Sequence, residues 1–279
     1  DGGGLMLTGD PEGFARLTGE IARAAGMQLG DYKEKVLRRR IAVRMRARGA
    51  ETFRAYSDLL HNDPVELEKL KDALTINVTR LYRNAETWER LRTLVLPDLL
   101  TRREGAVRIW SAGCSSGEEP YTLAMCLAEE AERMGKHSWA SKPRITATDI
   151  DEVVMGRARA GRYPSAAFME MPPALTAKYF RPVGTDDREV VPALKRMVEV
   201  RRQDLLREAP LHPPYDLVVC RNVVIYFDRD GQERLFERFA DSLAPGGYLL
   251  LGKVETLLGP ARDRLELIDV RERIFRRAA

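Results

Sequence analysis

The chain has 279 residues, of which 44% are apolar and 32% are charged, a balance typical of a folded protein rather than a disordered one. That length is large for one simple domain and fits two modest domains. No apolar run approaches the roughly 18 residues that cross a bilayer. Residues 1–9 lack the basic start and apolar core of a secretory signal, so we expect a flexible tail and no insertion into a membrane. The net charge of +4 is too small by itself to indicate a nucleic-acid partner.

Cysteine and histidine are both scarce. The three cysteines, Cys114, Cys126 and Cys220, lack metal-binding spacing, and such an odd, sparse set is typical of a reducing compartment. Three histidines argue against a multi-histidine metal centre. We therefore expect a cytoplasmic protein without a metal site.

The first hundred residues have a helical pattern. Apolar residues recur every three or four positions from Phe14 to Ala25, which predicts one amphipathic helix. A second helix is predicted from Tyr32, with Asp31 preceding it, and a third covers residues 52–60. Asp63 is a candidate N-cap for a fourth helix, with Pro64 in its first turn.

After residue 106 the pattern changes to alternating strands and helices. Strands are predicted at residues 107–112, 144–149, 216–220 and 248–251, with a closing strand at 274–275 and a turn at Gly246-Gly247. Helices are predicted at residues 121–134 and 235–243. This alternation predicts an open, mostly parallel α/β sheet. Within the irregular stretch before residue 204, residues 189–191 and 197–200 are predicted to pair as an antiparallel flap.

A glycine-rich loop, Gly113-Cys-Ser-Ser-Gly117, joins the first predicted strand to a helix, the place where ligands bind in such sheets. It is neither the dinucleotide-binding G-x-G-x-x-G nor a phosphate-binding P-loop. Glu118 and Glu119 follow at once, and two carboxylates there repel a phosphate. S-adenosylmethionine fits better, because it carries a sulfonium, an ammonium and a ribose but no phosphate.

Polar residues follow two further predicted strands. Asp149 ends the second strand, where an acid can hold ribose hydroxyls. Arg221 and Asn222 follow the strand at 216–220 and should face the same crevice, with Tyr226 one turn later. A buried arginine needs a partner, so Arg221 is expected to contact an acid or a backbone carbonyl.

Four motifs together resemble the chemotaxis receptor methyltransferases, the CheR family of S-adenosylmethionine-dependent protein-glutamate O-methyltransferases. These motifs are N-V-T-R-L-Y-R at 77–83, W-S-A-G-C-S-S-G-E-E-P-Y at 110–121, A-T-D-I-D at 147–151 and C-R-N-V-V-I-Y-F-D at 220–228. The resemblance implies a Rossmann-like methyltransferase domain with a small β-subdomain insert, preceded by an all-α N-terminal domain. It implies a helical receptor-docking domain at 10–75, a linker at 76–100 and a methyltransferase domain at 101–279, whose insert covers 164–203.

The resemblance also implies roles for individual residues. S-adenosylmethionine, which leaves as S-adenosylhomocysteine, would be held by Asn77, Thr79, Arg83, Gly113, Glu118, Asp149, Asp204, Leu205, Arg221 and Asn222. Tyr226 matches a tyrosine beside the transferred methyl group and is the candidate catalytic residue. Two positions depart from the family pattern. Asp204 stands where Asn is frequent, and Gly252-Lys-Val-Glu255 stands where Gly-His-Ser-Glu is frequent.

One segment concentrates positive charge. Residues 33–48 carry eight basic residues against one acidic residue, a local charge of +7. On a helix, Lys35, Arg39 and Arg46 share one face. The resemblance implies that this helix meets the cytoplasmic helical bundle of a chemoreceptor near its acidic methylation sites.

Two other functions remain open from the residues alone. An RNA or DNA methyltransferase could use the basic helix on phosphates, but no aromatic residues alternate with its arginines to stack bases, so we expect no nucleic-acid partner. A non-catalytic module could bind S-adenosylmethionine as a signal. The sequence leaves open which receptor and which glutamates are modified, whether the β-subdomain binds a receptor tail, and the oligomeric state.

Overall fold

The computed structural model describes residues 10–25, 27, 29–75, 79–102, 106–136 and 145–278. The predicted tail at 1–9 and the predicted cofactor contact Asn77 lie outside these residues. The chain divides into two compact units. A helical unit comprises Asp1–Asn77 with Tyr226–Gly231, and an α/β unit comprises Val78–Ile225 with Gln232–Ala279. In the described ranges, no helix combines the length and the apolar character needed to span a membrane.

Apolar side chains from helices α1 to α4 form the core of the helical unit. The helices are α1 (Pro11–Ala25), α2 (Glu34–Ala47), α3 (Phe53–Asn62) and α4 (Pro64–Thr75). The predicted N-cap at Asp63 is confirmed, and Thr52 is the N-cap of the helix before it. The Thr52 hydroxyl accepts the Ala55 N–H at 3.1 Å, and the Asp63 carboxylate accepts the Glu66 N–H at 3.1 Å.

The second helix is predicted from Tyr32, but α2 begins two residues later, at Glu34. Asp31 ends a short 3-10 turn (Leu29–Asp31), and residues 31–33 pair with another segment of the same unit. The Lys33 N–H donates to the Tyr226 carbonyl at 2.9 Å, and Tyr32 forms an antiparallel bridge with Phe227. A main-chain group that bonds across to another segment cannot also join a helical ladder.

A buried carboxylate neutralises part of the charge on α2. Glu66 is completely buried and accepts a two-pronged contact from Arg44 at 2.9 and 2.6 Å, and Tyr56 donates its hydroxyl at 2.8 Å. Arg48 approaches Glu66 at 3.5 Å and Asp63 at 2.9 Å. Burial alone would raise the pKa of Glu66, but the hydrogen bonds outweigh it and hold that pKa below its ordinary value. Arg44 and Arg48 therefore stabilise the helix packing.

The α/β unit is built on a seven-stranded sheet in the described part of the chain, in the order β6-β2-β1-β7-β8-β10-β9. The first five are parallel, whereas β10 and β9 are antiparallel. Its strands are β1 (Ile109–Ala112), β2 (Ile145–Asp149), β6 (Val198–Arg202), β7 (Tyr215–Cys220), β8 (Leu243–Leu251), β9 (Leu265–Asp269) and β10 (Ile274–Arg277). The predicted mostly parallel α/β sheet is confirmed.

Helices accompany this sheet. They are α5 (Ala85–Arg90), α6 (Leu96–Arg102), α7 (Glu118–Arg133), α8 (Glu152–Ala160), α9 (Pro173–Tyr179), α10 (Pro192–Lys195) and α11 (Arg229–Ser242). All residues of β1 and β7 are buried, which explains their continuous apolar character. The core therefore lies on the central parallel strands, whose carboxyl ends carry the loops of interest.

The predicted flap pairs the wrong strands. Strand β5 (Asp187–Val190) pairs with β4 (Phe180–Val183) and β3 (Arg162–Pro164) in a separate antiparallel sheet. Residues 198–202 instead form β6, parallel to β2 at the edge of the main sheet. The short helix α10 lies between β5 and β6, so no tight turn is available to join them as a hairpin.

Gly246-Gly247 is not a turn before the strand, as predicted, but lies inside β8. The pairing of β7 with β8 shifts register between Tyr215 and Leu217, and Gly246 has a φ of +71°. Glycine accommodates such a bulge without ending the strand.

Candidate active site

Four loops meet at the carboxyl ends of β2, β1, β7 and β8. From β1 the chain continues to β2 and β6 on one side, whereas β7 and β8 lie on the other side of β1, so the strand order reverses between β1 and β7. Ligands of open α/β sheets bind at this kind of switch point.

The glycine loop after β1 follows the end of β2 closely. The N–H groups of Gly113 and Cys114 both donate to the Thr148 carbonyl, at 2.8 and 2.9 Å. Gly113 has a φ of +79°, and a Cβ there would lie 2.5 Å from the Val223 side chain. The position therefore requires glycine both for its backbone angle and for the close approach of the segment after β7.

Asp149 is placed as the sequence predicts, at the end of β2. Its carboxylate accepts the N–H groups of Ser115 at 2.8 Å and Asp151 at 3.0 Å. Burial raises the pKa of Asp149, and these N–H contacts oppose the rise. The side chain thus ties the glycine loop to the second strand and remains an acceptor with capacity for further donors.

Asp204 and Leu205 follow β6, next to Asp149, since the Gln203 N–H donates to the Asp149 carbonyl at 2.9 Å. The Asp204 carboxylate accepts the Leu206 N–H at 2.9 Å and caps the local turn. An asparagine side-chain oxygen could accept this bond equally well, so this contact is compatible with either residue.

Glu118 and Glu119, the first two residues of α7, have different hydrogen-bond partners. Glu118 is buried, and its two carboxylate oxygens lie 3.0 and 2.8 Å from the Ser116 hydroxyl, which donates to them. Glu119 accepts the Ser111 hydroxyl at 2.9 Å and lies 3.9 Å from Arg221. Burial raises the pKa of Glu119 to about 7, although Arg221 acts in the opposite direction. Sequence reasoning selected Glu118 as the cofactor contact, whereas Glu119 is the carboxylate that lies with Arg221.

Arg221 has the partners that its predicted burial demands. It donates to the Arg83 carbonyl at 3.1 Å and the Asn84 side chain at 2.7 Å, and its guanidinium lies 4.9 Å from the centre of the Trp88 ring. Burial lowers the pKa of Arg221, yet a guanidinium stays protonated. Its buried Nε has no hydrogen-bond partner. Arg221 therefore fastens residues 83 and 84 to the end of β7.

The sequence-predicted contacts Thr79 and Arg83 lie on the segment that Arg221 holds. The Tyr82 N–H donates to the Thr122 hydroxyl of α7 at 3.0 Å, and the Trp88 indole donates to the Arg83 carbonyl at 2.9 Å. These contacts fix the segment relative to the start of α7, the helix that the glycine loop opens.

Glu255 supports the site, although the sequence predicts no role for it. It is 2% exposed, and its carboxylate accepts four main-chain N–H groups at distances from 2.7 to 3.3 Å. The donors are Gly252, Asn222, Val223 and Ile225. Asn222 needs this support because its φ is +60°, an unusual value for a residue with a side chain. The sequence offers one signal for this role. In Gly252-Lys-Val-Glu255 the two middle residues differ from the frequent Gly-His-Ser-Glu, but the glutamate is kept.

The remaining predicted site residues belong to the helical unit. Tyr226 falls in its segment Tyr226–Gly231. Lys35, Arg39 and Arg46 are all exposed on α2. Among the described residues, no group of three or more histidine, cysteine, aspartate or glutamate side chains could hold a metal ion.

Family models and curated relatives match this chain along most of its length. The CheR methyltransferase SAM-binding domain matches residues 77–274, and the CheR methyltransferase all-alpha domain matches residues 12–75. The chemotaxis protein methyltransferase of Listeria monocytogenes is 36% identical over 248 residues, covering 89% of this chain and 91% of that protein. The protein of that name from Salmonella typhimurium is 34% identical over 257 residues, covering 90% and 85%.

A solved structure, the N-methyltransferase NodS from Bradyrhizobium japonicum with S-adenosyl-L-homocysteine, covers 69% of this chain and 88% of its own. At 18% identity and a TM-score of 0.39, that likeness is too distant to carry an argument. The family matches define an S-adenosylmethionine-dependent methyltransferase. The chain belongs to the CheR methyltransferase family, which confirms the resemblance of its motifs.

The residues present fit S-adenosylmethionine. Asp149 and Glu119 supply carboxylate acceptors for hydroxyl and ammonium groups, and the glycine loop leaves no room for a Cβ at Gly113. A phosphate would instead meet the two acidic side chains at the start of α7.

We predict that Gly113→Ala destabilises the protein more than Gly135→Ala. Both glycines have positive φ, but a Cβ at Gly135 meets nothing within 4 Å. We therefore expect about 1–2 kcal/mol of backbone strain at both positions. Overpacking against Val223 should add about 1–3 kcal/mol at Gly113 alone. Urea unfolding measures the difference, and Val223→Ala should recover part of it. Equal losses from the two substitutions would contradict the close packing.

Proposed function

We propose that this chain transfers a methyl group from S-adenosylmethionine to glutamate side-chain carboxylates of chemoreceptors in the cytoplasm. The observation that carries the proposal is the cluster of Asp149, Glu119 and Arg221 around the glycine loop, in a chain that matches both CheR domains. The names of the curated relatives support a role in chemotaxis.

In this proposal Asp149 holds the ribose hydroxyls, and Asp204 and Leu205 lie beside the adenine. Thr79, Arg83 and Asn77 contact the cofactor from the segment before α5. Gly113 and Glu118 line the loop, with Arg221 and Asn222 at the end of β7. We add Glu119 as an acceptor for the cofactor ammonium, because Ser111 engages one of its carboxylate oxygens while the other lies 3.9 Å from Arg221, beyond hydrogen-bond distance.

When bound, S-adenosylmethionine supplies an electrophilic methyl group on its sulfonium. The chain needs no general base, because a glutamate carboxylate with a reference pKa near 4.3 is already ionised at pH 7. Its contribution is orientation of the two reacting groups. Tyr226 is the proposed orienting residue, through its hydroxyl.

The receptor-docking surface is proposed to consist of Lys35, Arg39 and Arg46 on α2. All three are exposed, whereas Arg44 and Arg48 are engaged with Glu66, and Arg40 donates to the Ala73 carbonyl at 2.7 Å. Positive charge on this face complements the acidic helical bundle of a receptor and raises the association rate in a salt-dependent way.

We expect receptor fragments incubated with methyl-labelled cofactor to acquire label that mild base releases as methanol, the signature of a carboxyl methyl ester.

The double variant Arg39→Glu, Arg46→Glu should raise the KM for receptor on the order of tenfold at low salt, and less at high salt. Arg54→Glu, an exposed arginine on α3, is the matched control. Base-stable label, or label on RNA alone, would contradict the glutamate assignment. Equal effects of the variants and the control would contradict the docking surface.

We expect the affinity for S-adenosylmethionine to fall as the pH drops through about 7, because Glu119 loses its charge there. Between pH 7.5 and 5.5 the dissociation constant should rise on the order of tenfold, following the ionised fraction. Glu119→Gln should weaken binding at pH 7.5 and flatten this dependence in calorimetric titrations. Glu132→Gln, on the exposed end of the same helix, should keep it. A pH dependence that persists in Glu119→Gln would exclude Glu119 as its source.

We expect Tyr226→Phe to slow single-turnover methyl transfer by about tenfold, the equivalent of one hydrogen bond of about 1.4 kcal/mol. Rapid-quench measurements at saturating receptor and cofactor separate this step from binding. An unchanged rate would remove the phenol hydroxyl from the mechanism.

A further inference from the structure

The segment that carries Tyr226 is paired with the residues that precede α2. Three contacts hold the pairing: the Lys33 N–H donates to the Tyr226 carbonyl at 2.9 Å, the Asp228 N–H donates to the Asp31 carbonyl at 2.8 Å, and Tyr32 bridges Phe227. The rings of Tyr32 and Phe227 meet edge to face, with centroids 5.3 Å apart. Residues 226–228 are therefore anchored to the start of the proposed docking helix by main-chain and aromatic contacts.

Arg40 makes a second connection from α2 to the same tyrosine. Its guanidinium carbon lies 6.0 Å from the centre of the Tyr226 ring, within the range of a cation–π interaction. On its other side, Nη1 donates to the Ala73 carbonyl in the last turn of α4 at 2.7 Å. Burial lowers the pKa of Arg40, and Tyr226 acts in the opposite direction. Arg40 is thus distinct from Arg44 and Arg48, which contact Glu66, and from the exposed residues of the docking face.

We infer that Arg40 and the main-chain N–H of Lys33 are positioning groups that hold Tyr226 for methyl transfer. The helix that presents Lys35, Arg39 and Arg46 to the receptor thus also sets the orientation of the catalytic tyrosine. This inference rests on the proposed function and extends it, since it makes docking and catalysis properties of α2 and the residue that precedes it.

The physical reason is the sensitivity of an in-line reaction to geometry. A misplacement of about 1 Å can cost on the order of a hundredfold in rate, and a tyrosine hydroxyl moves by that amount when its backbone or ring rotates slightly. The Lys33 N–H restrains the backbone of Tyr226, and Arg40 restrains the ring. Neither group needs to touch substrate to affect the rate.

Proline at position 33 tests the backbone restraint. Lys33 has a φ of −58° and precedes the helix, so proline fits its backbone and removes only the donor. Lys33→Gln loses the same ammonium and keeps the N–H. We expect kcat for receptor methylation to be about threefold to tenfold lower in Lys33→Pro than in Lys33→Gln, with equal KM. Equal kcat values would overturn the role of this N–H.

A double-mutant cycle tests the ring restraint. We expect Arg40→Gln to lower kcat severalfold with little change in KM, and Arg40→Lys to recover part of the loss because it restores the cation. Arg46→Gln, on the docking face, should instead raise KM. In the Tyr226→Phe background, Arg40→Gln should have a smaller effect on kcat, since the hydroxyl that it positions is absent.

The outcomes separate the inference from the function on which it rests. If Tyr226→Phe slows transfer but Arg40→Gln lowers kcat equally in both backgrounds, Arg40 does not act through Tyr226 and the inference fails while the function stands. If Arg40→Gln changes only KM, Arg40 is a docking residue and the inference fails. If Tyr226→Phe has no effect, the proposed role of Tyr226 fails and the inference fails with it.

Discussion

The site depends on buried carboxylates that bind main-chain N–H groups. Loops at the carboxyl ends of parallel strands leave N–H groups without ladder partners, and a buried N–H must find an acceptor. Asp149 satisfies this need for Ser115 and Asp151, and Glu255 satisfies it for four residues around the end of β7. Burial raises the pKa of both acids, so the N–H groups stabilise the carboxylates in return. The loops can therefore keep positive φ values at Gly113 and Asn222, which bring the glycine loop and the segment after β7 together.

Arginines with buried partners or buried side chains play the corresponding part in the two units. Arg44 pairs with the completely buried Glu66 in the helical unit, and Arg221 binds the Arg83 carbonyl and Asn84 in the α/β unit. An isolated buried charge is costly, so such groups specify which segments can pack around them. Because several arginines are engaged within the protein, the eight basic residues of segment 33–48 leave only a few side chains for a partner. Some arginines of α2 stabilise its packing, one contacts Tyr226, and Lys35, Arg39 and Arg46 remain exposed.

Local patterns predicted the parts of the fold in which local forces dominate. The cap at Asp63 and the apolar runs of β1 and β7 depend on neighbours in sequence, and they are found as predicted. The start of α2, the partner of β5 and the bulge at Gly246 were missed. Each depends on pairing with a distant segment, which no local pattern records: residues 31–33 pair with 226–228, β6 pairs with β2, and β8 shifts register against β7.

The sequence by itself determined the family, the α/β alternation and the positions of Gly113, Asp149 and Arg221, because chemistry at strand ends demands particular residue types at particular places. Only the tertiary structure decided that Glu119 instead of Glu118 faces Arg221. It also decided that Glu255 binds the segment after β7 and that Arg40 contacts Tyr226. Neighbouring side chains on a helix point about 100° apart, so the choice between them follows from which one the packed surroundings leave facing the site.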